Sequence, residues 1–196
     1  MTAPPVAVSR ASLYRQVMGS AAFDVLPPAV RAFHTGDGVR RWTGHAEVRR
    51  GSGPLARFVC TIFGFPATGS TVPTRLTLSS EDRGERWVRD FGGAILASRQ
   101  WAGQGLEQGL LLERFGPACF ATALIPENDR LRVIPRRWFL FGCPMPCALL
   151  PSGEGVERDV GGRFSFDITI GLPVIGLVVA YRGILEAVQA SRENCM

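Results

Sequence analysis

The sequence predicts an α+β protein, mostly β, with one long antiparallel sheet curled into a barrel or half-barrel around an apolar cavity and about three short helices. Three observations predict it. RFSFDITI (163–170) sets Phe164, Phe166, Ile168 and Ile170 opposite Arg163, Ser165, Asp167 and Thr169, the period-two pattern of a half-buried strand. Further strand candidates follow one another through EDRG, GG, AGQG, FGP and PEND turns with no helix alternating between them, which favours hairpins over β-α-β units. Third, Gly-x-Pro with an apolar centre recurs at Gly64-Phe65-Pro66, Gly142-Cys143-Pro144 and Gly171-Leu172-Pro173. Ordinary turns are polar because they face water, so these three face a core, a cavity mouth or a partner. A sheet this long sheds its exposed edges by closing on itself.

The elements can be taken in chain order. SLYRQVMG (12–19) reads as a helix capped by Ser12 and stopped by Gly19. LPPAVRAFH (26–34) starts on prolines, where a missing donor is harmless, and ends on His34, a cation suited to the helix dipole. VRRWTGHAEVRR (39–50) alternates, with Trp42, Gly44, Ala46 and Val48 on one face and Arg41, Thr43, His45, Glu47 and Arg49 on the other. GPLARFVCTIFG (53–64) places Leu55, Phe58, Val59 and Ile62 on one stripe and predicts a third helix lying on or plugging the sheet. Strands are expected at 74–80, 85–91, 94–101, 106–115, 119–125, 130–141, 163–170 and 176–185, the last pair joined across the Leu-Pro turn. The whole chain, 1–196, fits a single domain, with 1–11 as a flexible tail and 187–196 as a frayed end.

Composition narrows the function classes. The 22 basic residues are all arginine, and the net charge is +5. The arginines are scattered, pairing only at 40–41, 49–50 and 136–137, so nucleic acid is not the expected partner. MTAPPVAVSR lacks the layout of a signal peptide. The apolar run 168–180 is short of the roughly 20 residues a spanning helix needs, and Gly171, Pro173 and Gly176 break it. A soluble, cytoplasmic chain with no transmembrane segment is the expectation. Five cysteines, at 60, 119, 143, 147 and 195, are an odd number and suggest reduced thiols. Cys143 and Cys147 form a C-x3-C between prolines, remote from any histidine ligand spacing; they are expected to pack as small buried apolar residues, with no metal and no cofactor.

LLERFGP (111–117), RRWFLFGCPMP (136–146) and GRFSFDITIGLPVIGLVVAYRGIL (162–185), preceded by LPPAVRAFH, resemble a bacterial domain family catalogued as a domain of unknown function (4166). The likeness runs roughly from Ser12 to Leu185. That family occurs alone or attached to reductase-like domains, so the resemblance implies small-molecule metabolism and a reductase partner; a homodimer is the alternative expectation. It supplies no reaction. The residues matching its motifs include His34, Glu113, Arg114, Arg137, Trp138, Phe166, Asp167, Tyr181 and Arg182.

The candidate site follows from the polar residues on these strands. Glu113 and Arg114 are adjacent, so one of them faces inward, where it needs a partner. Asp167, Tyr181 and Arg182 lie on one predicted hairpin. Asp167, Glu113 and Tyr181 are the candidate acids and bases, and Arg182, Arg114, Arg137, Trp138, Phe166, Trp42 and His45 the candidate ligand-binding residues. A register-fixing ion-pair network accounts for the same residues. The absence of G-x-S-x-G, G-x-G-x-x-G, Walker and H-E-x-x-H motifs removes triad hydrolases, nucleotide enzymes and zinc proteases. Two functions remain. One is a cofactor-independent cyclase or isomerase acting on a polyketide- or terpenoid-like apolar molecule in the barrel, working largely by orientation. The alternative is a non-catalytic carrier of a lipid or hydrophobic metabolite.

Overall fold

The computed structural model describes residues 12–188. The chain forms α1 (Leu13–Met18), α2 (Ser20–Asp24), α3 (Pro28–His34), β1 (Val39–Arg50), α4 (Pro54–Ile62), β2 (Gly69–Glu81), β3 (Gly84–Phe91), β4 (Ala94–Ala102), β5 (Leu111–Phe115), β6 (Ala118–Glu127), β7 (Arg130–Leu140), β8 (Cys143–Pro144), β9 (Gly155–Val160), β10 (Arg163–Leu172) and β11 (Gly176–Ala187). Every pairing between these strands is antiparallel. The order β6-β5-β4-β3-β2-β1-β11-β10-β9-β7, with β6 also paired to β7, closes the sheet into a barrel; two-residue β8 hangs outside on β7. No helix among the described residues is long and apolar enough to cross a membrane.

Alternation decides what fills the barrel. On β1, Trp42, Ala46 and Val48 turn inward while Arg41, Thr43, His45, Glu47 and Arg49 stay exposed. β10 contributes Phe164 and Phe166, and β11 Val179, Tyr181 and Leu185. The seam between β1 and β11 is drawn tight at two glycines. A Cβ on Gly44 would lie 2.0 Å from the Ile184 carbonyl oxygen, and one on Gly183 2.3 Å from that of His45.

One end of the barrel is plugged. α1 and α3 bring Leu13, Tyr14, Val17, Val30 and Phe33 into the same buried cluster as the inward strand residues. Phe33 is fully buried and stacks on Phe164 with ring centroids 3.7 Å apart. The strand wall also caps α3, because Asp159 of β9 accepts a 2.9 Å hydrogen bond from the Ala29 amide. The opposite, far end carries the turns β3–β4, β5–β6 and β10–β11, together with α4.

The helices at 12–19, 26–34 and 53–64 form as expected, but several features differ. The stretch 106–115 is a strand only from Leu111; Gly105 and Gly109 take positive φ of 61° and 79° and hold a 3-10 turn ahead of it. GVERDV (155–160), dense in charge, is strand β9, and α2 adds a further short helix. α4 lies against β11 and β1, with Cys60 in the barrel's buried cluster and Val59 packed against that cluster. It buries Ala56 and Cys60 and leaves Leu55, Phe58 and Ile62 exposed. The small face fits because the Cys60 thiol reaches the Val178 carbonyl at 3.3 Å. Cys143 and Cys147 are likewise exposed, because their segment lies outside the closed wall. The expected tail, 1–11, and residues 189–196 of the expected frayed end lie outside the described residues; Ala187 still belongs to β11.

Candidate functional site

Three polar groups sit inside the barrel where the plug meets the wall. The first is His34, whose Nε2 lies 2.6 Å from Glu157 Oε2, with the Tyr14 ring stacked on the imidazole at 3.5 Å. In the second, Glu85 accepts from Arg40 Nη2 at 2.7 Å and from Trp87 Nε1 at 3.0 Å. The third joins three strands. Arg89 of β3 donates to Ser98 Oγ of β4 and to Glu113 Oε1 of β5, both at 2.9 Å, and Ser98 donates to the same carboxylate at 2.6 Å. The Glu85 and Glu113 carboxylates persist at this depth because each has an arginine of opposite sign and a further hydrogen bond.

These groups share one electrostatic field. Burial, the largest single influence, disfavours the Arg89 charge, but the charge and hydrogen bond of Glu113, with Tyr181 and Tyr14, together outweigh it and hold the guanidinium more firmly protonated than usual. Burial pushes the Tyr181 phenol up to about 12, with Arg89 opposing and Glu113 reinforcing. Tyr14 is raised well above its ordinary value, first by burial and then by Glu157, Glu113 and Glu85. Both phenols are therefore neutral hydrogen-bonding groups.

A stability prediction follows, because Tyr14 and Tyr181 are the only tyrosines of the chain. The folded state keeps both phenols protonated, whereas the unfolded chain loses its protons from about pH 10. The resulting stabilisation is complete below pH 10 and is lost as pH rises toward the folded value of about 12. In an alkaline titration the ultraviolet phenolate band should stay absent at pH 10 and emerge together with loss of folded circular dichroism. Ionisation of either tyrosine at its ordinary pH in a folded protein would contradict the buried placement.

Between this polar layer and the far end the inner wall is apolar. Phe115, Phe120, Val133, Ile168 and Ile170 occupy inward positions and are half-buried, unlike the fully enclosed rings beside the plug. Trp138 faces Phe120 with centroids 6.5 Å apart, and its Nε1 donates to the Pro146 carbonyl, which ties the 143–149 segment to the rim. Arg89 lies between the two zones, its guanidinium carbon 4.8 Å from the Trp87 ring and 5.7 Å from Phe115. The Arg89 and Glu113 side chains keep 10% and 16% exposure. The arrangement is a half-buried apolar inner wall, the cup, over a charged but mutually neutralised floor.

The sequence candidates divide between the two faces of the wall. Glu113 and Tyr181 lie inside, on the polar floor, and Trp42, Phe166 and Trp138 face inward as well. Asp167 and Arg182 are cross-strand partners on the outer face. There Arg182 pairs with Glu47 at 2.8 Å, and His45, Asp167 and Arg182 border an open groove of about 830 Å³ between β1, β10 and β11. Arg114 packs over Trp101 and Arg137 pairs with Glu107, both on the outside. A single hydrogen-bonded group joining Asp167 and Arg182 to Glu113 or Tyr181 is thus ruled out: the closed sheet stands between them. Sequence reasoning missed Tyr14, Arg40, Glu85, Arg89, Ser98 and Glu157. A signal for two of them was present in GERWVRDF, where period two places Glu85 and Arg89 on the same face as Trp87 and Phe91.

A family model described as Domain of unknown function (DUF4166) matches residues 26–185. The chain belongs to this family. No curated protein and no solved structure matches the chain. The matched stretch contains Glu85, Arg89, Ser98, Glu113, Glu157, Tyr181 and the inward apolar residues of the cup, so the floor and its wall belong to the domain itself. α1, which carries Tyr14, precedes it.

Proposed function

We propose that the barrel binds an apolar small molecule bearing one uncharged polar head, a carbonyl or hydroxyl, with the apolar body in the cup and the head on the Arg89–Glu113–Ser98 floor. The observation that carries this reading is the ion-paired floor beneath half-buried Phe115, Phe120, Val133, Ile168 and Ile170. A neutralised pair offers a guanidinium donor and a carboxylate acceptor side by side, which suits a head that accepts or donates one hydrogen bond. A free carboxylate head would meet Glu113 and be disfavoured.

Binding can be read from Trp138 fluorescence on titration with a long-chain ketone or alcohol, against the matched hydrocarbon and fatty acid. Saturable quenching by the ketone or alcohol is expected, weaker by about tenfold for the hydrocarbon, which forgoes the polar contact. Ile168→Trp should fill the cup and abolish quenching in a folded protein. Unchanged affinity in that variant would exclude the cup as the site.

A second reading rests on Tyr181. Its neutral phenol, coupled to Arg89 and Glu113, would place a proton donor near a carboxylate, the combination that isomerises a double bond next to a carbonyl. The enzyme reading requires turnover that Tyr181→Phe removes without loss of ligand affinity.

A further inference from the structure

The far end of the barrel differs from the plugged end in charge and in what it exposes. All three apolar Gly-x-Pro turns converge there: Gly64-Phe65-Pro66 follows α4, Gly142-Cys143-Pro144 makes the β7–β8 turn, and Gly171-Leu172-Pro173 opens the β10–β11 turn. Around them stand exposed Leu55, Phe58 and Ile62 of α4, Ile95, Phe141 and Val174. They form one arc. The 141–151 segment returns to the wall through the Ser152–Gly171 bridge beside the Val174 turn, and α4 is bonded to β11 just beyond that turn.

Two tips of the arc are strained. Phe141 and Val174 are the non-glycine residues with positive φ among the described residues, 51° and 69°, and they are 80% and 104% exposed. Left-handed backbone is costly for a β-branched or bulky side chain, and here no burial of the side chain offsets it within the molecule.

The charge pattern identifies what the arc meets. No aspartate or glutamate lies between Glu47 and Glu81, between Asp129 and Glu154, or between Asp167 and Glu186, the stretches that supply α4 and the apolar turns. Those stretches hold Arg49, Arg57, Arg136 and other arginines; these three make no ion pair among the described residues. The turns at the plugged end carry Asp37, Glu81, Asp82, Glu107, Glu127 and Asp129, whereas the β3–β4 turn at the far end carries Asp90, which accepts from the Gly93 amide. Large apolar tips and a helix without acidic residues, flanked by arginines, complement an anionic lipid surface: apolar side chains enter the acyl boundary and guanidinium groups meet the headgroups.

We infer that the far end of the barrel docks on anionic membrane surfaces through α4 and the Phe141 and Val174 turns. The inference concerns the outer rim and stands whatever the cup holds.

Co-sedimentation with vesicles of phosphatidylcholine alone, and of phosphatidylcholine mixed with phosphatidylglycerol, tests it. The protein should partition onto the mixed vesicles about tenfold better than onto the neutral ones, and less as salt is raised. Phe58→Asp and Val174→Asp, at exposed positions, should each cost about tenfold in partitioning without lowering the melting temperature. Arg57→Glu should weaken binding to the mixed vesicles only, and Leu106→Asp at the plugged end should leave it unchanged. Absence of binding to either vesicle, or equal binding by Val174→Asp and wild type, would overturn the inference. So would a dimer on size exclusion that Phe58→Asp dissolves, since that result assigns the rim to a second copy of the chain.

Discussion

Arg89→Met should destabilise the protein by about 3–5 kcal/mol, because it strands a carboxylate inside a closed barrel. Glu113 would lose the guanidinium at 2.9 Å and keep only the Ser98 hydroxyl, while its side chain has 16% exposure through which to find water. Arg89 also packs over Trp87 and Phe115, so part of the loss is contact area, which methionine retains in some measure. The double variant Arg89→Met/Glu113→Leu should recover most of the loss, since an apolar pair of similar volume carries no desolvation cost. Urea denaturation of the two single variants and the double gives the coupling directly. Additive single effects would mean that the pair is hydrated and does not form the floor of the cup.

Phe33→Ala should be comparably severe, at about 3–5 kcal/mol, for a different reason. Phe33 is fully enclosed, stacked on Phe164 at 3.7 Å, tilted against Trp42 at 4.9 Å and edge-on to Trp87 at 5.7 Å. Its removal leaves a void bounded by rings that cannot easily collapse, because all three are carried by barrel strands. It also loosens α3, and with it the His34–Glu157 contact across the plug. A fall in melting temperature of about 10 °C is expected for a chain of this size. Phe58→Ala on the exposed face of α4 should stay within about 0.5 kcal/mol of wild type. The contrast between two phenylalanines on short helices separates the plug from the rim; equal losses would mean that α4 is buried in solution.

That contrast also shows where sequence patterns carry information. Strict alternation made β1 and β10 readable residue by residue, because one face of each meets the core and the other meets water. The same rule hid β9. In GVERDV the inward residues Glu157 and Asp159 are charged, satisfied by His34 and by the Ala29 amide on a helix more than a hundred residues earlier, so no local pattern marks them as interior. α4 misled in the opposite direction. Its apolar stripe reads as a buried face, yet the molecule buries Ala56 and Cys60, packs only Val59 of the stripe against the core, and leaves Leu55, Phe58 and Ile62 exposed. Of the inward polar residues, Tyr181 was among the candidates, and strand position narrowed a second to Glu113 or its neighbour Arg114 without choosing between them. Their partner Arg89 was not singled out, since a charge on an inward face reads as an exception until the carboxylate two strands away is seen. Asp167 and Arg182 looked like a site because they are opposite charges on one hairpin; closure of the barrel puts that pair on the exterior.

The closing seam has a consequence for how the chain reaches this structure. Almost every strand pairs with its neighbour in sequence and can form by local hairpin closure, whereas β1 and β11 pair across nearly the whole domain, from Trp42–Ala187 to Arg50–Val179. Such a contact is the last that chain entropy allows and the one on which folding time depends. Until it forms, the sheet has two free edges, both open to pairing with other chains. The outer-face charges then acquire a role in time: Glu47 and Arg182, opposite each other on β1 and β11 and joined at 2.8 Å, reward only the correct register of the final zipper.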